Sequence, residues 1–262
     1  MSGAAGVSDI LRLEGVSRWF GGIRAVQELS FGVRPGTITA LIGPNGAGKT
    51  TTLNVISGWL PPSAGVVSFD GHMLAGRKPH ERSHVGLART FQTPQIFTTL
   101  TAFENIVVGA TPRARSALMA IALRLPRALA DDRRIRTEAR AWLDFVGLHA
   151  LAHARADTLS FGQLRLLEIA RALAGRPRLI LMDEPASGLS PVETQALRTL
   201  LFGIRDTGIT LLLVEHNMRL VMSTADRVIV LDKGSKLAEG TPDEVRMDAV
   251  VQHAYLGRTA GH

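Results

Sequence analysis

Residues Gly43-Pro-Asn-Gly-Ala-Gly-Lys49-Thr50 follow directly on the apolar run Thr37 to Ile42 and satisfy the spacing G-x-x-x-x-G-K-[ST]. That spacing predicts a strand, a tight loop and a helix in that order. Glycines let the backbone curl until several N–H groups converge on phosphate oxygens at a helix N-terminus, where peptide dipoles already favour negative charge. Lys49 adds a full positive charge for β and γ phosphates, and Thr50 adds a hydroxyl for Mg2+. Lysine is rare here, with 4 among 30 basic residues. With the chain's own residue frequencies the four fixed positions should coincide about 0.005 times by chance.

The runs Leu179 to Met182, Thr210 to Val214 and Arg227 to Leu231 alternate with longer helical patterns, which is the order of a parallel sheet covered by helices. The run 37–42 is almost continuously apolar, as a central parallel strand must be. From about Thr93 to Thr158 the chain is helical and Arg-rich without a strong strand candidate. We expect one nucleotide-binding domain in which 1–92 and 159–262 form the α/β core and 93–158 form an inserted helical subdomain.

The segment Leu179-Ile-Leu-Met-Asp183-Glu184-Pro185 places two carboxylates at the end of an apolar strand. In isolation such a pair is more often a turn or a helix cap. Beside a phosphate loop it reads differently: Asp183 reaches the C-terminal edge of the sheet, where a metal would be shared with Thr50 and phosphate oxygens. Glu184, on the opposite side of the strand, can then orient or deprotonate water.

Composition narrows the alternatives. At 262 residues, 45% hydrophobic and 20% charged, the chain is long and apolar enough for a substantial core, which excludes disordered, collagen-like and coiled-coil classes. The absence of cysteine excludes disulfide frameworks, thiol catalysis and thiolate metal sites, and fits a reducing compartment. Met1 to Ile10 lacks the pattern of a secretory signal. The longest stretch without Asp, Glu, Lys or Arg, Thr50 to Phe69, contains Gly58, Pro61, Pro62 and Gly65, so no membrane span is expected. The formal net charge of +7 admits nucleic acid, an anionic membrane or a phosphate ligand as partner. Much of it lies in 111–146, where Arg113, Arg115, Arg124, Arg127, Arg133, Arg134, Arg136 and Arg140 face Asp131, Asp132, Glu138 and Asp144. A solvated helix face is the plain reading, and contact with anionic lipid or an acidic partner the functional one. Aromatics make up only 5%, too few to interleave with basic residues as a nucleic-acid stacking surface, so no nucleic-acid partner is expected.

With Leu159-Ser160-Phe161-Gly162-Gln163 and the helical run Leu164 to Leu173, the chain resembles the ATP-binding subunits of ABC transporters from about Leu11 to Gly257. The resemblance implies a phosphate-loop (RecA-like) α/β core with an N-terminal antiparallel β subdomain and the inserted helical subdomain. It implies ATP and Mg2+ as ligands, held by the loop Gly43, Pro44, Asn45, Gly46, Ala47, Gly48, Lys49, Thr50 and Thr51, with Thr50, Gln92 and Asp183 on the metal. Phe20, before Gly21-Gly22, matches an aromatic that stacks on adenine. Gln92 in Arg-Thr-Phe-Gln and His216 in Val-Glu-His match catalytic positions beside Glu184.

The family uses the signature turn, here Ser160, Gly162 and Gln163, on the nucleotide of a neighbouring subunit, which implies head-to-tail pairing of two cassettes, identical or paralogous. The resemblance also implies docking on transmembrane permease subunits near Gln92 at the cytoplasmic face of a membrane, served indirectly by an extracytoplasmic solute-binding protein. Gly86 to Gln92, Val214 to Met218, Ala238 to Pro242 and Ala254 to Gly257 are similar to importers of branched-chain amino acids, urea and related amides. A lipopolysaccharide-type exporter motor and a soluble cassette ATPase acting on nucleic acid remain alternatives. Two positions depart from the family pattern. Phe161 stands where most members have Gly, although the amino-acid importer branch often has an aromatic there. Ser190 stands where Asp or Asn is usual, which puts the implied communication between sites in question.

Other signals point to plainer roles. His80-Glu81-Arg82-Ser83-His84 fits H-E-x-x-H, but Pro79 and Gly86 leave little helix and no third ligand follows, so no zinc site is expected. His72, His149, His153, His253 and His262 are scattered. Trp19, Trp59 and Trp142 are expected in the core.

Overall fold

The computed structural model describes residues 8–110 and 126–256. Arg113, Arg115, Arg124, Gly257, His262 and all of 1–7 lie outside the described residues, as do the side chains of Arg127 and of 254–256. Strand β1 (Leu11–Phe20) pairs antiparallel with β2 (Ile23–Val33) and, on its other side, with β4 (Ala64–Phe69), which carries β5 (His72–Met73) at the edge. A second sheet runs β10 (Ser235–Gly240), β9 (Arg227–Asp232), β3 (Ile38–Ile42), β8 (Thr210–Val214), β7 (Leu179–Asp183) and β6 (Leu87–Thr90). All its pairs are parallel except β10 with β9. The family fold is therefore present, with its antiparallel and parallel sheets.

The side-chain period of two explains how one sheet builds two cores. Leu179, Leu181, Leu212 and Val214 point to the side of the antiparallel sheet and of helix α1 (Lys49–Ser57), where they meet Leu11, Leu13, Phe69, Leu53 and Ile56. Ile180, Met182, Leu211 and Leu213 point to the other face and meet the helices. Strand β3 lies between β8 and β9 and is buried along its whole length, which is why its sequence is apolar without alternation.

Helix α2 (Pro79–His84) precedes β6; α3 (Ala102–Ala110), α4 (Pro126–Phe145) and α5 (Phe161–Ala174) then pack on one another through Ile106, Ala139, Leu143, Leu167 and Leu173. Helix α6 (Pro191–Asp206) covers the same face through Leu197, Leu201 and Ile204. No helix among the described residues is long and apolar enough to cross a membrane.

Within the described part of the basic stretch two arginines are paired along the helix. Arg136 bonds Asp132 at 2.8 Å and Arg134 lies 3.3 Å from Asp131, both on α4, while Arg176 pairs with Glu138. The H-E-x-x-H segment is a helix of six residues whose Glu81 accepts the Lys78 N–H at 2.7 Å. Its Arg82 is buried, and among the described residues no group of three potential ligands occurs. The tryptophans need a correction: Trp142 packs partly buried against the core and edge-on to Phe145, but Trp19 and Trp59 are 46% and 60% exposed. Trp59 comes immediately after the glycine that ends α1, and Trp19 lies near the end of β1, so neither has a second layer over it.

Arg82 has a structural task. Its guanidinium donates to the carbonyls of Val55 and Ile56 at the C-terminus of α1, and to those of Leu74 and Arg77, at 2.7 to 2.9 Å. A cation there satisfies the end of the helix whose opposite end bears the phosphate loop. Arg82→Met should lower unfolding free energy by about 2 to 4 kcal/mol, since four carbonyls lose a buried cationic donor and those of Val55 and Leu74 keep only a backbone N–H; urea denaturation measures this, and a loss under about 0.5 kcal/mol would contradict it.

Candidate functional site

The loop 43–48 leaves the end of β3 and enters α1. Gly48 adopts φ 97°, and a Cβ there would lie 2.4 Å from the Ala25 carbonyl oxygen, so strand β2 behind the loop excludes any larger residue. The Lys49 ammonium donates to the carbonyls of Gly43 at 2.7 Å and Pro44 at 3.0 Å. Burial holds its pKa below the ordinary lysine value, opposed by the charges of Glu184 and Asp183. Thr50 and Asn45 are exposed on the same loop, and Thr51 is half-buried.

Asp183 ends β7 almost fully buried. Burial raises its pKa, and the guanidinium of Arg89 opposes this from 3.1 Å through Oδ2. Arg89 also donates to Asn54 Oδ1 at 2.7 Å and Ser57 Oγ at 2.9 Å, which fastens the Asp183 carboxylate to α1. Among the described residues no hydrogen bond takes up Asp183 Oδ1. A carboxylate oxygen, the Thr50 hydroxyl and the Gln92 amide oxygen are hard donors of the kind Mg2+ takes, and their chemistry fits that ion.

Glu184 turns away from the strand with φ 48°, its N–H bonded to the Val214 carbonyl. Its Oε2 accepts from Gln92 Nε2 at 2.8 Å and lies 3.6 Å from His216 Nδ1. Three residues far apart in sequence thus meet at one carboxylate. His216 is positioned by Glu215, which is fully buried: Oε1 accepts the Ala186 N–H at 2.8 Å, and Oε2 accepts the N–H groups of His216 and Asn217 at 3.1 and 3.2 Å.

Phe20 is 44% exposed at the end of β1, with the guanidinium of Arg18 4.8 Å from its ring centroid. Ser160 caps α5: its Oγ accepts the Gln163 N–H, and the Gln163 side chain accepts the Ser160 N–H at 2.9 Å. Gly162 lies against α6, where a Cβ would come 2.3 Å from Glu193 Oε1. Among the described residues no hydrogen bond or ion pair joins this turn to the phosphate loop. The structure therefore brings Lys49, Gln92, Asp183, Glu184 and His216 together, while the described contacts of Ser160, Gly162 and Gln163 are with one another and with α6.

Four further residues serve the site without a role that the sequence reveals: Arg89, Glu215, Arg165 and Glu168. Arg89 and Glu215 stand inside recognisable motifs, and Arg165 and Glu168 are visible only as charges interrupting an apolar helix face. Between the parallel sheet and the helical layer lies a cavity of about 340 Å3, lined by Trp59, Arg89, Phe91, Phe97, Val108 and Arg171 among others. Trp59 meets Phe91 edge-on at 6.0 Å.

Comparison with known proteins extends this geometry. Residues 26–187 match the ABC transporter family profile, and residues 235–261 match that of the branched-chain amino acid ATP-binding cassette transporter. The high-affinity branched-chain amino acid transport ATP-binding protein BraF of Pseudomonas aeruginosa is 39% identical, over 95% of this chain and 98% of its own. Among solved structures, the ADP conformation of an ATP-binding cassette of an ABC transporter superposes with a TM-score of 0.82 at 33% identity, over 95% of this chain and 99% of that one. A dimeric ATP-binding cassette in a post-hydrolysis state, bound to ADP and Pi, gives a TM-score of 0.74 at 25% identity, over 88% and 98%.

Ser190, which departs from the family's usual Asp or Asn, caps α6 as either would: its Oγ accepts the Glu193 N–H at 3.3 Å while Glu193 accepts the Ser190 N–H at 2.8 Å. Ser190→Ala should lower the stability of the chain by about 1 kcal/mol and Ser190→Asp by less than about 0.5 kcal/mol. Equal midpoints for Ser190→Ala and the parent in chemical denaturation would contradict the capping role.

Proposed function

This chain belongs to the ATP-binding subunits of ABC transporters, and on that premise we propose that it hydrolyses ATP to drive an importer of branched-chain amino acids or related small polar solutes. The observation that carries the hydrolytic part is the meeting of Gln92 and His216 on Glu184, one residue past the buried Asp183 and electrostatically coupled to Lys49. The match of 235–261 to the branched-chain profile, together with relatives named for that transport, supports import over a lipopolysaccharide-type exporter or a nucleic-acid ATPase.

The chemistry follows from what each residue can do. The loop Gly43 to Thr51 donates backbone N–H groups to the β and γ phosphates, and the Lys49 ammonium exchanges two carbonyl partners for phosphate oxygens. Phe20 offers a ring face to adenine. Thr50, Asp183 and Gln92 would hold Mg2+, which when bound neutralises phosphate charge. Glu184 orients and deprotonates the attacking water, while Gln92 and His216 hold its carboxylate and meet the γ-phosphate side. Ser160, Gly162 and Gln163 form a second anion-binding turn at the start of α5, and the lack of any hydrogen bond or ion pair between it and the loop among the described residues supports use on the nucleotide of a second cassette. The related dimeric cassette holding ADP and Pi supports the same pairing. We read 1–92 and 159–262 as the catalytic core and 93–158 as the helical subdomain.

The relatives named as ATP-binding proteins of amino acid transport support separate permease subunits as partners. The cavity beside Gln92, with its exposed Trp59 and Phe97, supports a permease seat there and hence a peripheral location on the cytoplasmic face. A solute-binding protein outside the membrane would act through that permease.

Glu184→Gln should lower turnover by about 10^2 to 10^4 fold, and steady-state ATPase within about tenfold of the parent chain would reject its role. The same variant with ATP and Mg2+ should sediment as a dimer, whereas a persistent monomer with permease present would count against pairing. Trp59→Glu should abolish co-purification of permease subunits while leaving ATP binding intact; unchanged co-purification would move the seat elsewhere.

A further inference from the structure

We infer that Arg165 and Glu168 form a buried clamp that sets where Gln92 stands relative to the signature turn, so that both are positioning residues for hydrolysis. The inference rests on the proposed hydrolytic roles of Gln92 and Glu184.

Arg165 and Glu168 lie three residues apart on α5 and are almost completely buried. The two terminal nitrogens of Arg165 donate to the carbonyls of Phe91 and Gln92, and Nη1 also donates to Glu168 Oε2 at 3.2 Å. Glu168 Oε1 in turn accepts the N–H groups of Phe91 at 3.2 Å and Gln95 at 3.1 Å. Residues 91–95 follow the last paired residue of β6, Thr90, and have no sheet partner. One ion pair therefore supplies donors and acceptors that a strand would otherwise supply. The planar fork of arginine spans two successive carbonyls, which lysine cannot do.

Stability alone is a poor reason for this pair. Burial disfavours both charges, pulling the Arg165 pKa down and pushing the Glu168 pKa up, so the ion pair itself adds little beyond the backbone groups of 91–95 that it satisfies. What the pair supplies is direction: it fixes the backbone of Gln92, whose side chain reaches Glu184 at 2.8 Å. The helix that carries the clamp opens at Ser160. Gln92 of one half-site and Ser160 of the other are thus held at a set spacing by one helix. The ring of Phe161 lies 5.6 Å from the Arg165 guanidinium, giving the aromatic at the third signature position a task glycine could not perform.

The test is a double-mutant cycle on the purified full-length chain. Glu168→Leu removes the acceptor of the Phe91 and Gln95 N–H groups together with the partner of Arg165, and should lower kcat at least tenfold with KM for ATP changed less than about threefold. Combined with Gln92→Ala it should be no worse than Gln92→Ala alone, because both act through one side chain. Hydrogen exchange at the Phe91 and Gln95 amides should accelerate in Glu168→Leu, which has no acceptor for them, while amides of β3 and β7 stay protected. Should that variant fail to fold, Phe161→Gly supplies the same cycle with a smaller loss of kcat. Multiplied losses in the double variant, or unaltered exchange at Phe91 and Gln95, would overturn the clamp while leaving the assignment of ATP hydrolysis standing. Undiminished turnover in Gln92→Ala would overturn it too, whereas an active Glu184→Gln would overturn the hydrolytic reading itself.

Discussion

The edge of the parallel sheet has to hold Lys49, Asp183 and Glu184 close together without leaving a buried charge unpaired. Desolvation works against both Lys49 and Asp183, and each is opposed by the opposite charge of its neighbours. Arg89 completes the balance, because a carboxylate buried to that degree would otherwise face one partly buried ammonium alone. The same arginine bonds α1, so the element that carries the phosphate loop and the strand that carries Asp183 share a fastening.

A second constraint follows from the loops that leave that edge. The side chains proposed for catalysis stand on segments beyond the strand ends, and the backbone groups of such segments need partners when they are buried. Here the partners are buried ionic side chains. Glu215 binds the N–H groups of Ala186, His216 and Asn217, Glu168 binds those of Phe91 and Gln95, and Arg82 binds the carbonyls that end α1. Each fixes a loop more sharply than apolar packing would, since hydrogen bonds specify orientation and apolar contacts do not.

Much of this architecture is legible in the amino-acid sequence. The apolar runs match β3, β7, β8 and β9 to within a residue or two, because strands buried on both faces cannot alternate. The clustering of Gln92, His216 and Glu184 is legible only through the family resemblance, since no periodicity links positions 92, 184 and 216. Strand β6 is only four residues long, too short for its pattern to stand out. Trp19 and Trp59 contradict the expectation of burial because hydrophobicity predicts burial only where a second layer exists to bury against, and that is a tertiary fact. Arg165 and Glu168 look like ordinary helix-surface charges in sequence, and only the fold of 91–95 against α5 gives them a role.

The functional account turns on the proposed use of the Ser160 turn by a second chain. On that proposal each cassette offers Lys49 and Glu184 to one nucleotide and its capped signature turn to another. A crystal structure of the Glu184→Gln variant with ATP and Mg2+ measures this directly. The account predicts two nucleotides between two chains, each γ-phosphate bound by Lys49 of one chain and by Ser160 of the other. A triphosphate ligated entirely by groups of a single chain would contradict it.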